Sequence, residues 1–256
     1  MSYNVIKIVL KKISRFLYLF NRVFYHLVPD ELKKKSDIRI LLEKNLAQET
    51  FQVFGDIFKK TLLFQFNDSE VSGKPIKNIR KYAITESLKI KKPSDQNDDF
   101  FYLELGVYKG TSANYFSSFV KTLYVFDSFE GLRENWSGTD LEAGYLSLNK
   151  KLPKLNSNII PTVGWVENTL EPFLIKTNPK IAFVHFDMDT YSPTKYALEK
   201  IKPYLVKDSI IIFDDMINYI GWQEGEYRAL NDVFAKNEFI YKAFDLDGGQ
   251  CVIQIQ

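Results

Sequence analysis

Short, uninterrupted apolar runs that end at carboxylates are the clearest pattern along the chain. Two such runs are Ile181–Phe186 and Ile210–Phe213, and the carboxylates that follow them are Asp187, Asp189, Asp214 and Asp215. Apolar runs of this length, rich in β-branched and aromatic residues, are typical of strands buried on both faces of a parallel sheet. Between them, over Lys195–Leu205, apolar residues recur at helical spacing. The pattern therefore predicts a strand, a helix and a second, parallel strand.

The four carboxylates are predicted to converge, because the carboxyl ends of neighbouring parallel strands lie at one edge of a sheet. Ligands bind at that edge in open α/β sheets. Carboxylates held close together repel one another unless a cation lies among them, and their oxygens suit a hard divalent ion. Taken singly, each aspartate could instead be an ordinary turn or helix-cap residue. The pairing of two clusters on adjacent strand ends favours a joint site.

A second unit of strand, glycine turn and helix lies earlier in the chain. Phe100–Leu105 predicts a buried strand, Gly106 and Gly110 mark the turn, and Ser112–Phe119 predicts the helix. Such a turn can bind a nucleoside, because the glycines admit close approach and the helix N-terminus offers free N–H groups. The G-x-G-x-x-G spacing of pyrophosphate-binding turns is absent. Glu104, just before the turn, would repel a pyrophosphate but could bind an ammonium group.

The remaining pattern completes an α/β domain. Thr122–Phe126 predicts a second strand that ends at Asp127, where an acidic residue commonly binds the ribose hydroxyls of a nucleoside. The other predicted features are a strand at Ile159–Val163, a helix at Trp222–Lys236, a hairpin of Phe239–Phe244 and Cys251–Gln254, and a lid-like insertion at Gly138–Lys154.

The first part of the chain predicts helices. Asp30–Lys60 and Ile76–Leu88 have helical patterns, whereas Asn67–Pro75 is a turn-rich break and Lys91–Asp99 a polar loop. We therefore expect a helical region at residues 1–75 and an α/β domain at residues 76–256.

Met1–Val28 is strongly apolar, but it carries five basic residues and no acidic ones. The charges interrupt it too often for a transmembrane span, and no small-residue cleavage site indicates a secretory signal. One interpretation is a basic amphipathic helix on an anionic membrane surface. The favoured alternative is a helix that packs on the α/β domain or on a second subunit of a homo-oligomer.

Composition narrows the class of protein. The 256 residues, 45% hydrophobic and 26% charged, suit one large soluble α/β domain with an appendage. A net charge of +2 gives no support for a nucleic-acid partner. A single cysteine, Cys251, excludes an intrachain disulfide and a cysteine-based zinc site. We expect a cytoplasmic protein, peripheral at the inner membrane surface if residues 1–28 bind lipid.

Several segments together resemble the macrocin O-methyltransferase-like (TylF-type) family of class I S-adenosylmethionine-dependent methyltransferases. They are LELGVYKGTS (103–112), VFDSFEGLRENW (125–136), GWVENTL (164–170), HFDMDTYSPT (185–194) and FDDM (213–216). The resemblance covers roughly residues 100–216, which is most of the predicted α/β domain. It implies a Rossmann-like α/β fold with a mostly parallel seven-stranded sheet flanked by helices, here with an N-terminal helical appendage.

The resemblance also implies roles for individual residues. The implied cofactor-binding residues are Glu104, Gly106, Gly110, Asp127, Ser128, Phe129, Trp165 and Glu167. The implied ligands of a divalent ion, usually magnesium, are Asp187, Asp214 and Asp215. Asp189 matches the carboxylate proposed as general base in some members. His185 is the alternative base, although a hydrogen-bonded core histidine is the favoured interpretation.

The expected reaction is S-adenosylmethionine-dependent methylation of a hydroxyl on a sugar or other small acceptor, in surface-glycan or natural-product biosynthesis. A bound cation would lower the pKa of the hydroxyl, and Asp189 would accept its proton. One alternative is a non-catalytic S-adenosylmethionine-binding partner of a glycan-synthesis assembly. Another is a nicotinamide-dependent oxidoreductase, which Glu104 and the missing glycines disfavour. Trp136, Trp222 and Tyr145 either shape the acceptor pocket or simply cover the sheet edge.

Overall fold

The computed structural model describes residues 37–64, 78–90 and 100–256. The helices are α1 (Asp37–Phe58), α2 (Asn78–Ser87), α3 (Thr111–Ser117), α4 (Val166–Thr177), α5 (Tyr191–Ile201) and α6 (Glu226–Val233). The strands are β1 (Leu62–Phe64), β2 (Phe101–Leu105), β3 (Leu123–Asp127), β4 (Ile159–Val163), β5 (Ile181–Phe186), β6 (Leu205–Phe213), β7 (Phe239–Asp245) and β8 (Cys251–Ile255). Two short 3-10 helices span Lys202–Tyr204 and Trp222–Glu224.

The eight strands form one sheet in the order β1-β7-β8-β6-β5-β2-β3-β4. Strand β8 runs antiparallel to β6 and β7, and the other neighbouring pairs are parallel. The predicted mostly parallel α/β sheet is therefore confirmed, with eight strands instead of seven. The additional strand is β1, which pairs with β7 at one edge. Its three residues are too short a run to reveal a strand in the sequence pattern.

The helices cover both faces of the sheet because consecutive strand residues point to opposite sides. Phe183 packs with α2 and α3 on one face, whereas Val184 and Phe186 pack with α1, α4, α5 and α6 on the other. Every residue of β5 is buried, which agrees with its uninterrupted apolar run. Phe54 of α1 is 1% exposed and contacts the ring of Trp222, so this helix belongs to the packed core.

Two predicted helices end differently in the structure. The helix predicted at Lys195–Leu205 is α5, which begins and ends four residues earlier, and β6 begins directly after the 3-10 helix that contains Pro203. Proline is disfavoured inside an α-helix because it lacks an N–H donor and its ring clashes with the preceding turn. The helix predicted at Trp222–Lys236 is instead a 3-10 helix and the shorter α6, separated by Gly225.

Several predictions on the first part of the chain lie outside the described residues: the helix at residues 1–28, the break at 67–75 and the loop at 91–99. The division into residues 1–75 and 76–256 stays a prediction. In the ranges that the structure covers, none of the helices combines the length and hydropathy needed to cross a bilayer.

Candidate active site

The carboxylates that follow β5 and β6 lie together at the carboxyl edge of the sheet. Phe186 and Phe213 are paired in register, so Asp187 and Asp214 leave their strands side by side. One carboxylate oxygen each from Asp187, Asp214 and Asp215 lies within 4.8 Å of the others. The pattern of apolar runs was therefore sufficient to predict that these three side chains lie close together. Their role as metal ligands stays a prediction.

A cavity of about 320 Å³ opens at this edge. The predicted site residues that line it are Gly106, Asp127, Ser128, Trp165, Glu167, Asp187, Asp189, Asp214 and Asp215. Leu132, Arg133, Trp136 and Leu146, which come from the region between β3 and β4, also line it. Leu146 belongs to the predicted insertion, which contains turns but neither helix nor strand; its function as a lid stays a prediction. Trp222 is instead fully buried in the core, and Tyr145 is exposed.

The other three predicted cofactor-binding residues do not line the cavity. Glu104 is fully buried and its carboxylate contacts His185, its partner in register across β2 and β5. Gly110 precedes α3 with φ +75°, and a Cβ there would lie 2.6 Å from Leu155 Cδ2. Phe129, 2% exposed, packs with the core on the α2 and α3 face. These residues shape the surroundings of the cavity rather than its wall.

Gly106 brings the first turn against the end of β5. Its φ of +88° is a left-handed conformation, and a Cβ at this position would lie 1.8 Å from the carbonyl oxygen of Asp187. The glycine is therefore needed for the approach of two backbone segments of the protein itself. It also lines the cavity, so the same close packing forms part of the ligand-facing surface.

Asp127 connects the end of β3 to this turn. Its Oδ2 accepts hydrogen bonds from the backbone N–H groups of Val107 and Tyr108, both at 2.8 Å, and its Oδ1 accepts one from Phe129 at 2.6 Å. A carboxylate has about four acceptor positions, so one is left for a ligand hydroxyl. Asp127 can thus organise the turn and bind a ribose at the same time.

Arg133 forms a cluster with Trp165 and Glu167 in the cavity wall. Its guanidinium lies 4.7 Å from the Trp165 ring centroid, and its Nε is 3.9 Å from Glu167 Oε1. Glu167 Oε2 is buried and has no hydrogen-bond partner among the described residues. The cluster therefore offers an aromatic face and a free acceptor to a ligand. Sequence reasoning missed Arg133, although it lies within the segment 125–136.

Arg80 of α2 is the principal cation of the carboxylate cluster, and sequence reasoning missed it as well. The residue is 8% exposed, and its Nη2 lies 2.5 Å from Asp214 Oδ1. The same oxygen accepts hydrogen bonds from His185 Nε2 at 3.3 Å and from the Gln250 amide. Arg80 lies on the buried stripe of α2 formed by Ala83, Ile84 and Ser87. A basic residue at a position that helical spacing places on the buried side of a predicted helix was the sequence signal that could have identified Arg80.

His185 links Asp214 to Glu104. Its Nδ1 lies 2.9 Å from Glu104 Oε1, which confirms a hydrogen-bonded core histidine. Burial alone would lower the pKa of His185, but the hydrogen bonds to Asp214 and Glu104 raise it to about 9. Burial would likewise raise the pKa of Asp214, but the charge of Arg80 and the hydrogen bond from His185 hold it well below its usual range.

The negative charge of the remaining carboxylates in the cluster is less well compensated by neighbouring positive charge. Burial and then the charge of Asp214 raise the pKa of Asp187, and raise that of Asp215 to about 7. Burial and then Asp215 raise the pKa of Asp189 and of Glu226. Glu226, on α6, is fully buried; its Oε2 accepts a hydrogen bond from the Asp215 N–H at 3.0 Å. The cluster can therefore accommodate further positive charge.

The donor set fits a hard divalent cation. Asp187, Asp214 and Asp215 supply only oxygen atoms, which is the ligand type that Mg²⁺ and Ca²⁺ prefer. Three donors already contact Asp214 Oδ1, so its Oδ2 is the oxygen left for a cation. Arg80 and His185 also neutralise part of the charge, so the repulsion between carboxylates does not by itself require a metal.

Comparisons with known proteins agree with this architecture. A family model described as a methyltransferase domain matches residues 103–216. A search of curated proteins gave no significant match. Among solved structures, CalS11, a calicheamicin methyltransferase, aligns with 86% of this chain and 93% of its own, with a TM-score of 0.59 and 17% identity. An apo structure of CalS11, described as a TDP-rhamnose 3'-O-methyltransferase in calicheamicin biosynthesis, gives a TM-score of 0.52 and 17% identity over 86% and 95% of the chains.

These comparisons confirm the predicted Rossmann-like methyltransferase fold. The domain match also confirms that the chain is a methyltransferase. The narrower TylF-type assignment is not confirmed.

Proposed function

For this S-adenosylmethionine-dependent methyltransferase, we propose methyl transfer to a hydroxyl of a sugar or another small hydroxylated acceptor, supported by a divalent cation. The observation that carries the proposal is the cavity in which Asp127 and the carboxylates after β5 and β6 face the same space. The part of the cavity wall that contains Asp127 suits a nucleoside cofactor, and the part that contains the carboxylates after β5 and β6 suits activation of a hydroxyl. CalS11, a sugar O-methyltransferase by its description, shares the fold and supports this class of acceptor.

The cofactor would bind along the wall formed by the Gly106 turn, Asp127 and Ser128. Asp127 would hold the ribose hydroxyls through its free acceptor position, while Trp165 and Glu167 would lie near the adenine. The reactive methyl group is carried on a sulfonium, which needs no further activation. Orientation of the acceptor oxygen in line with the methyl group then supplies much of the rate enhancement.

Asp187, Asp214 and Asp215 would hold the cation, which when bound lowers the pKa of a coordinated hydroxyl. Asp189 would accept the hydroxyl proton. Its carboxyl lines the cavity, and burial beside Asp215 raises its pKa, which makes it a stronger base than an ordinary aspartate. As the acceptor oxygen bonds to the methyl carbon, the sulfur–carbon bond breaks and S-adenosylhomocysteine is released.

The decisive experiment measures S-adenosylhomocysteine formation with a panel of hydroxylated acceptors, in magnesium and in chelator. Asp189→Asn should lower turnover by about 10²–10⁴-fold while leaving magnesium binding in calorimetry nearly intact. Asp214→Asn should weaken magnesium binding as well as turnover. Asp56→Asn is the matched control, because that side chain is 91% exposed and pairs only with Lys59 among the described residues.

Full activity in chelator would overturn the metal role, and an active Asp189→Asn variant would transfer the base role elsewhere. A chain that binds S-adenosylhomocysteine but methylates no acceptor would support a non-catalytic partner instead. Binding of NAD in place of S-adenosylhomocysteine would support an oxidoreductase.

A further inference from the structure

A second cavity, of about 210 Å³, lies beside the first, and Asp189 lines both. Three separate parts of the chain form its wall. Glu134 and Ser137 come from the loop after β3, Tyr191 from the first turn of α5, and Glu224 and Arg228 from the region around the start of α6. The proposed general base therefore stands at the boundary between the proposed cofactor cavity and a second, separate space.

Hydrogen bonds and ion pairs hold this wall in place. The Glu134 carboxylate accepts hydrogen bonds from the backbone N–H and the hydroxyl of Ser192, both at 2.8 Å. Arg228 Nη1 is 3.1 Å from Glu224 Oε2, and the guanidinium lies 4.5 Å from the Tyr191 ring centroid. The loop after β3, α5 and the start of α6 are thus joined around the cavity by contacts within the protein itself, and such preorganisation lowers the cost of binding.

The charges in this wall would repel an anion. Glu134, Asp189 and Glu224 are acidic, and Arg228, the one cation among the described residues that line the cavity, is already paired with Glu224 and lies 3.9 Å from Asp232. A phosphate placed here would face carboxylates, with no free cation among those lining residues to bind it.

Hydroxyl groups suit the same wall. Ser137 and Glu224 both line the cavity, and the Ser137 hydroxyl makes no hydrogen bond within the described ranges. Carboxylates such as Glu224 accept hydrogen bonds from hydroxyl or ammonium donors.

We propose that this second cavity is the acceptor site and that it binds a neutral or amino-substituted glycosyl ring that carries no adjacent phosphate. The assignment rests on the proposed function. A hydroxyl of the ring that reaches Asp189 lies between the base and the cofactor cavity. The acceptor is then a glycoside whose sugar has already been transferred from its nucleoside diphosphate. The nucleoside diphosphate sugar itself is a poor acceptor. The reaction that supplies this substrate is accordingly a glycosyl transfer, because such a transfer removes the diphosphate.

The test compares matched acceptors, each hexose being supplied both as its methyl glycoside and as its nucleoside diphosphate derivative. With S-adenosylmethionine and magnesium present, kcat/KM should be about tenfold or more higher for the methyl glycosides. Glu224→Lys should shift the preference toward the diphosphate sugars by a similar factor, because it replaces an acid with a cation. Ser137→Ala should raise KM for the glycosides more than it lowers kcat.

Glu199→Lys is the matched control, since Glu199 is an exposed acid on α5 outside this cavity, and its charge reversal should leave the preference unchanged. Equal or better use of the diphosphate sugars, or a preference that ignores Glu224→Lys, would overturn the acceptor assignment while the methyltransferase function stands. Saturation-transfer NMR of the methyl glycosides with the S-adenosylhomocysteine complex separates binding from turnover. If the glycosides bind through Ser137 and Glu224 without being methylated, the site stands and the proposed reaction fails. If they do not bind, the site assignment itself fails.

Discussion

Replacing Arg80 by methionine tests whether this residue compensates the carboxylate cluster. Methionine is also long and flexible, but it removes the charge next to Asp214 and leaves the aspartate without its closest donor. Removing one partner of a buried ion pair destabilises a protein by about 3–5 kcal/mol. The Arg80 side chain is 10% exposed and that of Asp214 is 21% exposed, so we expect a value near the lower end. For a chain of this length, a loss of about 3 kcal/mol lowers Tm by roughly 6–12 °C.

The assay is denaturant unfolding followed by circular dichroism, with chelator present. Lys59→Met is the matched control, because Lys59 and Asp56 also form an ion pair, at 2.8 Å, but their side chains are 70% and 91% exposed. An exposed pair contributes about 0–1 kcal/mol. In a double-mutant cycle, adding Asp214→Asn to Arg80→Met should recover part of the loss, because the uncompensated charge disappears.

Magnesium provides a second measurement on the same variant. Because Arg80→Met leaves the carboxylates with less positive charge, magnesium should stabilise this variant more than the parent protein. A loss as small as that of Lys59→Met would refute the view that Arg80 balances the cluster. Equal stabilisation of both proteins by magnesium would show that the guanidinium and the cation do not share these carboxylates.

Three further experiments test the ribose assignment, the Gly106 turn and the N-terminal segment. Asp127→Asn should weaken S-adenosylhomocysteine binding by about 1.5–3 kcal/mol in calorimetry, and unchanged affinity in the folded variant would contradict the ribose assignment. Gly106→Ala should lower the yield of folded protein far more than Gly144→Ala, because both glycines have positive φ, but a Cβ at Gly106 meets the Asp187 carbonyl whereas one at Gly144 meets nothing within 4 Å. If residues 1–28 bind an anionic membrane surface, the intact chain should sediment with anionic vesicles at low salt and the chain without residues 1–28 should not. If the intact chain ignores the vesicles and the deletion instead dissociates an oligomer, this segment is an interface, which is the favoured interpretation.

The convergence of Asp187, Asp214 and Asp215 could be predicted because it depends on local pattern. Two apolar runs joined by a helix must pair as parallel neighbours, and the residues after them must share an edge. To predict the orientation of Glu104, one must also use the alternation of side chains along β2. Leu103 and Leu105 pack on the face covered by α4 to α6, so Glu104 points to the opposite face and contacts His185.

The sequence could not predict Arg80 as a partner of Asp214, because the two residues are 134 positions apart. Their contact depends on where α2 packs against the sheet, which no local spacing specifies. The second cavity was missed for the same reason. Glu134, Tyr191 and Arg228 belong to three different segments. They are brought together by the packing of α5 against α6 and by the hydrogen bonds from Ser192 of α5 to Glu134.

The residues that complete the site lie on both sides of the matched segment 103–216. Within that segment are Asp127 and the carboxylates after β5 and β6, which suit cofactor binding and hydroxyl activation. Arg80 precedes it, and Glu226 and Gln250 follow it, yet these residues contact Asp214 or Asp215 directly. Arg228, in the wall of the second cavity, also follows it. The matched segment therefore carries the general chemistry of methyl transfer and, through Glu134, Ser137 and Tyr191, part of the proposed acceptor wall, whereas the flanking elements set the charge of the cluster and complete that wall. Differences in acceptor between proteins that share this segment should consequently map to the loop around Glu134 and Ser137 and to the region around Glu224 and Arg228.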